Sequence, residues 1–233
     1  MNTVQPHINT IITGDCIKVM KNFPTASIDL IVTDPPYLVN YRSRDGRPVP
    51  NDGTDAWLKP AFTEMERVLK PDRFCISFYG WHKADIFLTA WKAIGFRPVG
   101  HLVWAKDYHS NNQERFVRYS HESAYLLAKG EPAKPKIALR DVLEWKYTGD
   151  ELHPTQKPVM AIIPLIMAYS QVDDIVLDPF AGSGTTAVAA QALGRRYIGI
   201  EIDPTYARIA EERLHQEHER DTRRWEPSSP PKH

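Results

Sequence analysis

The chain is short of the features that mark secreted, membrane-spanning or metal-bound proteins. Only two cysteines occur in 233 residues, Cys16 and Cys75, and they do not form a CxxC pair. That excludes a disulfide framework and a thiolate metal site, fits a reducing cytoplasm, and leaves both as small core residues. No apolar run is long enough for a bilayer: the most apolar stretch, VMAIIPLIMAY from Val159 to Tyr169, is interrupted by Pro164. The opening MNTVQPHINT has no basic region followed by an apolar one, so it does not read as a secretory signal. Net charge is missing too, because 29 Lys and Arg balance 29 Asp and Glu. This excludes a protein that coats nucleic acid with positive charge. It leaves room for an enzyme with a local basic face, since affinity depends on where the phosphate-contacting charges lie.

What is present is a core-forming composition, 42% hydrophobic, sufficient for one α/β domain. Apolar runs of strand length alternate with amphipathic stretches, the pattern of crossover units and a mostly parallel sheet with helices on both faces. Strands are expected at Ile8 to Asp15, Ile28 to Asp34, Arg73 to Tyr79, Val99 to Lys106, Ser123 to Lys129, Asp174 to Asp178 and Arg196 to Glu201. Helices fit Cys16 to Asn22, Trp57 to Leu69, His82 to Ile94, Pro158 to Ser170, Gly184 to Leu193 and Pro204 to His218. A single domain is expected over residues 1–219, with a disordered tail at 220–233 ending in EPSSPPKH. Segments 41–56, 107–120 and 130–152 have no clear period and are the candidates for recognising a target.

Between a short apolar strand and an Ala-rich helix stands DPFAGSGTT: Asp178, Pro179, Phe180, Ala181, Gly182, Ser183, Gly184, Thr185 and Thr186. Glycines at a helix N-terminus let backbone approach a ligand closely. Nineteen positions past Gly182 lies Glu201, at the end of the next strand, where a carboxylate can accept hydrogen bonds from a ribose diol. Gly182, Gly184 and Ala187 also satisfy the loose dinucleotide fingerprint, so a nicotinamide enzyme stays open. Against it stands Asp178, which would repel a pyrophosphate but suits the cationic amino-acid portion of S-adenosylmethionine.

The second informative stretch is Ile28 to Asn40, IDLIVTDPPYLVN, a buried strand that stops at Asp34, Pro35, Pro36 and Tyr37. The exocyclic amine of adenine or cytosine is a poor nucleophile because its lone pair is delocalised into the ring. A carboxylate such as Asp34 and a main-chain carbonyl such as that of Pro35 can accept the two amine hydrogens and favour a pyramidal nitrogen. The fixed dihedrals of the prolines aim those acceptors, and Tyr37 offers a face for an extruded base. Taken alone, DPPY also reads as an ordinary strand-ending turn.

Together these motifs resemble the amino-methyltransferases of DNA, particularly the β class, in which the DPPY block precedes the cofactor block. HPTQKP, His153 to Pro158, stands before the second block as it does in that class. The resemblance implies a Rossmann-like, seven-stranded, circularly permuted methyltransferase fold with S-adenosylmethionine as cofactor and double-stranded DNA as partner. It further implies Asp34, Pro35, Pro36 and Tyr37 as the catalytic block. Asp15 and the Cys16 backbone would read the cofactor adenine, Glu201 its ribose, and Asp178 with Pro179, Phe180, Ala181, Gly182, Ser183, Gly184 and Thr185 its methionine portion, with Ile202 also in the cofactor site. Lys157 and Pro158 would close over that portion. For Asp15, a helix N-cap is an equally good reading of the residue, and Lys157 reads equally well as a solvated helix-start lysine. Members with Asp at the first tetrapeptide position mostly act on adenine N6, which favours adenine here.

Arg42, Arg44 and Arg47 follow Tyr37, and Arg115 and Arg118 lie in a second polar loop. They are candidates for contacting DNA phosphates, with a solvated loop as the plainer alternative. Lys106, Lys129, Lys134 and Lys136 add to the positive charge around the irregular segments. Trp81, Trp104 and Trp145 have no assigned role; by type each reads as a core residue, with base stacking as the alternative. His153 has no partner at ligand spacing, so no metal is expected. Dimers are frequent in the class. No fused nuclease is expected, and a separate restriction partner is left open, as are RNA or protein amides as acceptors and a DNA-binding module with a vestigial cofactor site.

Overall fold

A computed structural model of the chain describes residues 4–39, 50–106, 116–145 and 157–224, with side chains of the last helix through 217. Eight strands form one sheet in the order β1-β8-β7-β2-β3-β5-β4-β6. They are β1 (Thr10–Thr13), β2 (Ile28–Thr33), β3 (Leu69–Phe78), β4 (Arg97–Lys106), β5 (His121–Lys129), β6 (Val142–Trp145), β7 (Ile175–Asp178) and β8 (Arg196–Glu201). β5 runs antiparallel to its neighbours β3 and β4, and the remaining pairings are parallel. The expected strands are all present, with ends that differ by up to four residues. β6 is an addition, a short edge strand within the segment expected to be irregular. In its V-L-E-W run half-buried Leu143 and buried Trp145 alternate with exposed Val142 and Glu144, but four residues are too short a pattern to mark a strand in advance.

Among the described residues six α-helices cover the two faces: α1 (Cys16–Met20), α2 (Leu58–Val68), α3 (Ala84–Ile94), α4 (Val159–Tyr169), α5 (Thr185–Ala192) and α6 (Pro204–Arg224). Strand periodicity sorts the core into two layers. Ile175 and Leu177 of β7 with Ile198 and Ile200 of β8 face the layer under α1 to α3, whereas Val176 and Tyr197 face the layer under α4 to α6. α6 continues to Arg224, past residue 219 and into the expected tail, and 225–233 lie outside the described residues. Two of the three tryptophans expected in the core are there, Trp104 and Trp145, but Trp81 is 49% exposed. Cys16 and Cys75 are both buried and free. Among the described residues no helix is long and apolar enough to cross a membrane.

Charge also enters the sheet. Asp29 in β2 is 3% exposed and accepts from Lys70 Nζ at 2.7 Å and from the Ile175 amide at 3.0 Å, with Arg73 Nη2 at 3.3 Å. One carboxylate thereby ties β2 to β3 and β7, the strands that carry the site. Asp29→Ala leaves two cations and an amide without their acceptor, and we expect it to lower stability by about 2–4 kcal/mol in urea denaturation. Asp29→Asn should cost less, because it keeps an acceptor for the amide.

Candidate active site

The parallel pairing of β2 with β7, Leu30 opposite Val176 and Ile31 opposite Leu177, brings the ends of those strands side by side. The next pairings add β8, with Asp178 opposite Gly199, and β1, with Thr13 opposite Glu201. Asp15, Asp34, Asp178 and Glu201 therefore line one carboxyl edge, where open α/β sheets hold ligands.

After β7 the glycine turn reverses the chain into α5. Gly182 (φ 52°) and Gly184 (φ 80°) both take left-handed backbone, and a Cβ on Gly184 would fall 2.9 Å from the Cβ of Ala210. Arg213 of α6 braces the turn, Nη1 donating to the Ser183 carbonyl at 3.1 Å and to Thr185 Oγ1 at 3.0 Å. Asp178 is buried and accepts from the Phe180 amide at 3.1 Å. Burial pushes its carboxyl up to about 7, against the relief given by Thr186 and that amide. Glu201 accepts from the amides of Gly182 at 2.7 Å and Asp203 at 2.8 Å, and burial raises it as well. Asp15 is the N-cap of α1, accepting from the Ile17 amide at 2.8 Å. Beside it the Cys16 thiol is pushed up to about 12 by burial and then by Asp15, so it is no nucleophile. Ile202 is exposed just past β8.

Across the edge, Pro35 is buried and Pro36 half-buried between Asp34 and Tyr37. Both carboxylate oxygens of Asp34 are engaged: Oδ1 accepts from the Tyr37 hydroxyl at 2.7 Å and Oδ2 from Lys157 Nζ at 2.5 Å. Lys157 Nζ also lies 3.1 Å from the Tyr37 hydroxyl and about over the rings of Tyr37 and Phe78, 5.3 and 5.0 Å from their centroids. The lysine ammonium is thus buried against the tetrapeptide rather than solvated at the helix start, and its main-chain carbonyl accepts from Thr185 Oγ1 at 3.1 Å. Burial raises the Asp34 carboxyl, and the ammonium acts against that rise. Tyr37 is raised well above the ordinary phenol by burial and then by Asp34. The chain leaves the tetrapeptide through Leu38 in left-handed backbone (φ 63°), its amide donating to buried Asp52 at 2.7 Å.

Asp34, Phe78, Lys157, Asp178 and Gly182 line a single narrow cavity of about 60 Å³, so the tetrapeptide and the glycine turn face each other. Two members of this edge were not expected from sequence. Glu122 accepts from the Tyr37 hydroxyl at 3.3 Å and from Lys106 Nζ at 2.6 Å. Burial works to raise its carboxyl, but Lys157 and Lys106 outweigh burial and hold it low. Its signal in the sequence is slight: a charge at the start of an apolar strand, informative only once β5 is known to run antiparallel. Lys106, read as part of a basic cluster, is instead paired with Glu122 and sits 5.2 Å from the Trp145 ring centroid. Arg118 is exposed, whereas Arg42, Arg44, Arg47 and Arg115 lie outside the described residues, as does His153. Among the described residues no three His, Cys, Asp or Glu side chains form a group that could hold a metal.

A family model described as DNA methylase matches residues 28–212, which spans the tetrapeptide, the cavity and the glycine turn. The chain is 55% identical over 203 residues to "Putative methylase YubD" of Escherichia coli K12, covering 87% of this chain and 88% of that one. Among solved structures, the M1.HpyAVI complex with S-adenosylmethionine is 27% identical, with a TM-score of 0.69 over 88% of this chain and 99% of that one. The cytosine-N4-specific PvuII DNA methyltransferase, at 19% identity and a TM-score of 0.73 over 90% and 91% of the two chains, shares the fold. The chain belongs to the DNA methylase family of N6 and N4 amino-methyltransferases.

The Asp178 carboxyl sets a pH dependence of stability. Its proton is held up to about 7 in the fold but only to the ordinary 3.8 or so in the unfolded chain, so across that range the folded state binds more protons. Stability should therefore fall as pH rises through this window. In paired urea titrations Asp178→Asn, neutral throughout, should lose less stability than wild type between pH 5 and about pH 7.

Proposed function

We propose that the chain transfers the methyl group of S-adenosylmethionine to the exocyclic N6 amine of an adenine extruded from double-stranded DNA. The observation that carries this reading is the shared cavity: a carboxylate suited to an amine hydrogen and a carboxylate suited to a cationic cofactor line it from adjacent strands. Asp at the first tetrapeptide position supports adenine over cytosine.

The residues fit the cofactor. When bound, S-adenosylmethionine supplies an electrophilic methyl group on a sulfonium. Asp178, buried and proton-binding up to about 7, gains from a cation beside it, because a positive charge offsets the desolvation that raises it. Pro179, Phe180, Ala181, Ser183 and Thr185 shape the turn, while Gly182 brings backbone to the cavity and Gly184 lets the turn pack against Ala210 of α6. Glu201, whose two oxygens each hold one amide, keeps lone pairs for hydroxyl donors and would hold the ribose. Asp15, Cys16 and Ile202, at the neighbouring strand ends, would flank the adenine and ribose of the cofactor. Lys157 and Pro158 at the start of α4 would hold its carboxylate end.

On the acceptor side, Asp34 and the Pro35 carbonyl accept the two amine hydrogens, and the rigid Pro36 holds Tyr37 in place for the base to stack on. Transfer would form a nitrogen–carbon bond as the methyl–sulfur bond breaks and leaves a neutral thioether. Asp34 stabilises the positive charge that the nitrogen acquires, and loss of one amine proton to solvent gives the neutral N6-methyl product. Lys157 serves this chemistry by opposing the rise that burial imposes on the Asp34 carboxyl, which favours its ionised form. Phosphate contacts fall to Arg42, Arg44, Arg47, Arg115 and Arg118.

Incubation with methyl-labelled cofactor and unmethylated DNA should put label into N6-methyladenine, and Asp34→Ala should lower the rate at least about 100-fold. Label appearing in N4-methylcytosine would move the reading to cytosine, and label in neither base would defeat it. In Lys157→Met the Asp34 carboxyl loses the cation that opposes its rise, so it ionises only at higher pH. The acid limb of the pH–rate profile should then move to higher pH than in wild type, while Asp34→Ala should lose that limb.

A further inference from the structure

Among the described tryptophans, Trp81 is the one that the core does not bury. It follows β3 in a short 3₁₀ turn, Trp81–Lys83, and is 49% exposed. Its ring is nevertheless held in place: His82 stacks on it at 3.9 Å between centroids and 26° between planes, and Tyr119 lies 5.5 Å away at 36°. These rings come from two segments, the exit of β3 and the entry to β5, which are adjacent strands ending at the edge that carries the cavity. Phe116 and Val117, in the segment leading to β5, are exposed as well.

The cluster is coupled to the tetrapeptide by backbone contact. A Cβ on Gly80 would fall 2.8 Å from the Cβ of Tyr37 and 3.0 Å from its carbonyl, so only glycine lets the β3 exit lie flat on Tyr37. Trp81 is the next residue. Phe78, three residues before it, lines the cavity itself. An exposed, preordered aromatic face thus begins where the acceptor pocket ends, at a cost in solvation that a surface residue without a ligand would not need to bear.

We propose that Trp81, held by His82 and Tyr119, stacks on a nucleobase of the substrate DNA other than the base that enters the cavity. The inference rests on the DNA reading above. Extruding one base leaves unstacked π-faces in the duplex, and a rigid indole beside the acceptor pocket recovers stacking for one of them. Because every base has such a face, this contact adds affinity with little sequence preference, and it involves no phosphate.

The test is a DNA titration of wild type, Trp81→Ala and Trp81→Phe at several salt concentrations, with cofactor affinity and methylation at saturating DNA measured alongside. Trp81→Ala should weaken DNA binding about tenfold or more, while the slope of log affinity against log salt stays at the wild-type value. Trp81→Phe should recover most of the affinity but lose the indole fluorescence quenching that DNA produces in wild type. Cofactor affinity, and methylation at saturating DNA, should be close to wild type in both variants. If wild type methylates DNA and Trp81→Ala binds DNA with unchanged affinity, the stacking inference is wrong and the enzyme reading survives. If Trp81→Ala changes the salt slope, or converts a dimer to monomers at unchanged DNA affinity, the surface serves phosphates or a second copy and the inference falls. Wild type that neither binds nor methylates DNA overturns both.

Discussion

Parallel pairing of β2 and β7 at the middle of the sheet is the contact on which the remaining geometry depends. β7 ends in Asp178 and β2 is followed at once by Asp34, and each then breaks, β2 into a proline elbow and β7 into a glycine turn. Because neighbouring strands lie about 5 Å apart, the two breaks open onto a common cavity rather than onto separate surfaces. Asp29 reinforces that pairing from within the sheet, and Arg213 and Thr185 brace the turn from the α4 to α6 face. Reordering the strands would leave every motif intact in sequence and separate the two halves of the site.

The same edge concentrates acidic groups. Asp34, Glu122, Asp178 and Glu201 are drawn out of water together, and burial works to raise all four. Cations decide how they differ. Lys157 and Lys106 hold Glu122 low, and Lys157 opposes the rise at Asp34, whereas Asp178 and Glu201 have amide and hydroxyl donors as their main relief. The Asp34 side therefore carries its own positive charge, while Asp178 is relieved by neutral donors, which is what their proposed acceptor and cofactor roles would need. This division is the electrostatic form of the proposed reaction, in which a cationic methyl donor meets a neutral amine.

Much of this was legible in the chain because it rests on local chemistry. Pro35 and Pro36 cannot continue a ladder, Gly182 and Gly184 permit left-handed backbone, and near-continuous apolar runs of strand length mark β2, β3, β5, β7 and β8. The order of the motifs, with the family resemblance, also led to the adjacency of Asp34 and Asp178. What escaped depends on contacts distant in sequence. Glu122 reaches Tyr37 across 85 positions only because β5 is antiparallel, and the partner of Lys157 is Asp34, 123 positions away. Trp81 has the composition of a core residue, and only the fold shows that it stands at an edge. β6 gains its place from pairing with β4 rather than from any pattern of its own.

The central claim is that one cavity serves donor and acceptor together. An experimental structure with a bisubstrate analogue, adenine N6 joined covalently to the cofactor's methionyl portion, tests it most directly. The account predicts the amino-acid portion against Asp178 and the glycine turn, with the linked nitrogen within hydrogen-bonding distance of Asp34 or the Pro35 carbonyl. An analogue that fills the glycine turn but directs its adenine away from residues 34–37 would contradict it.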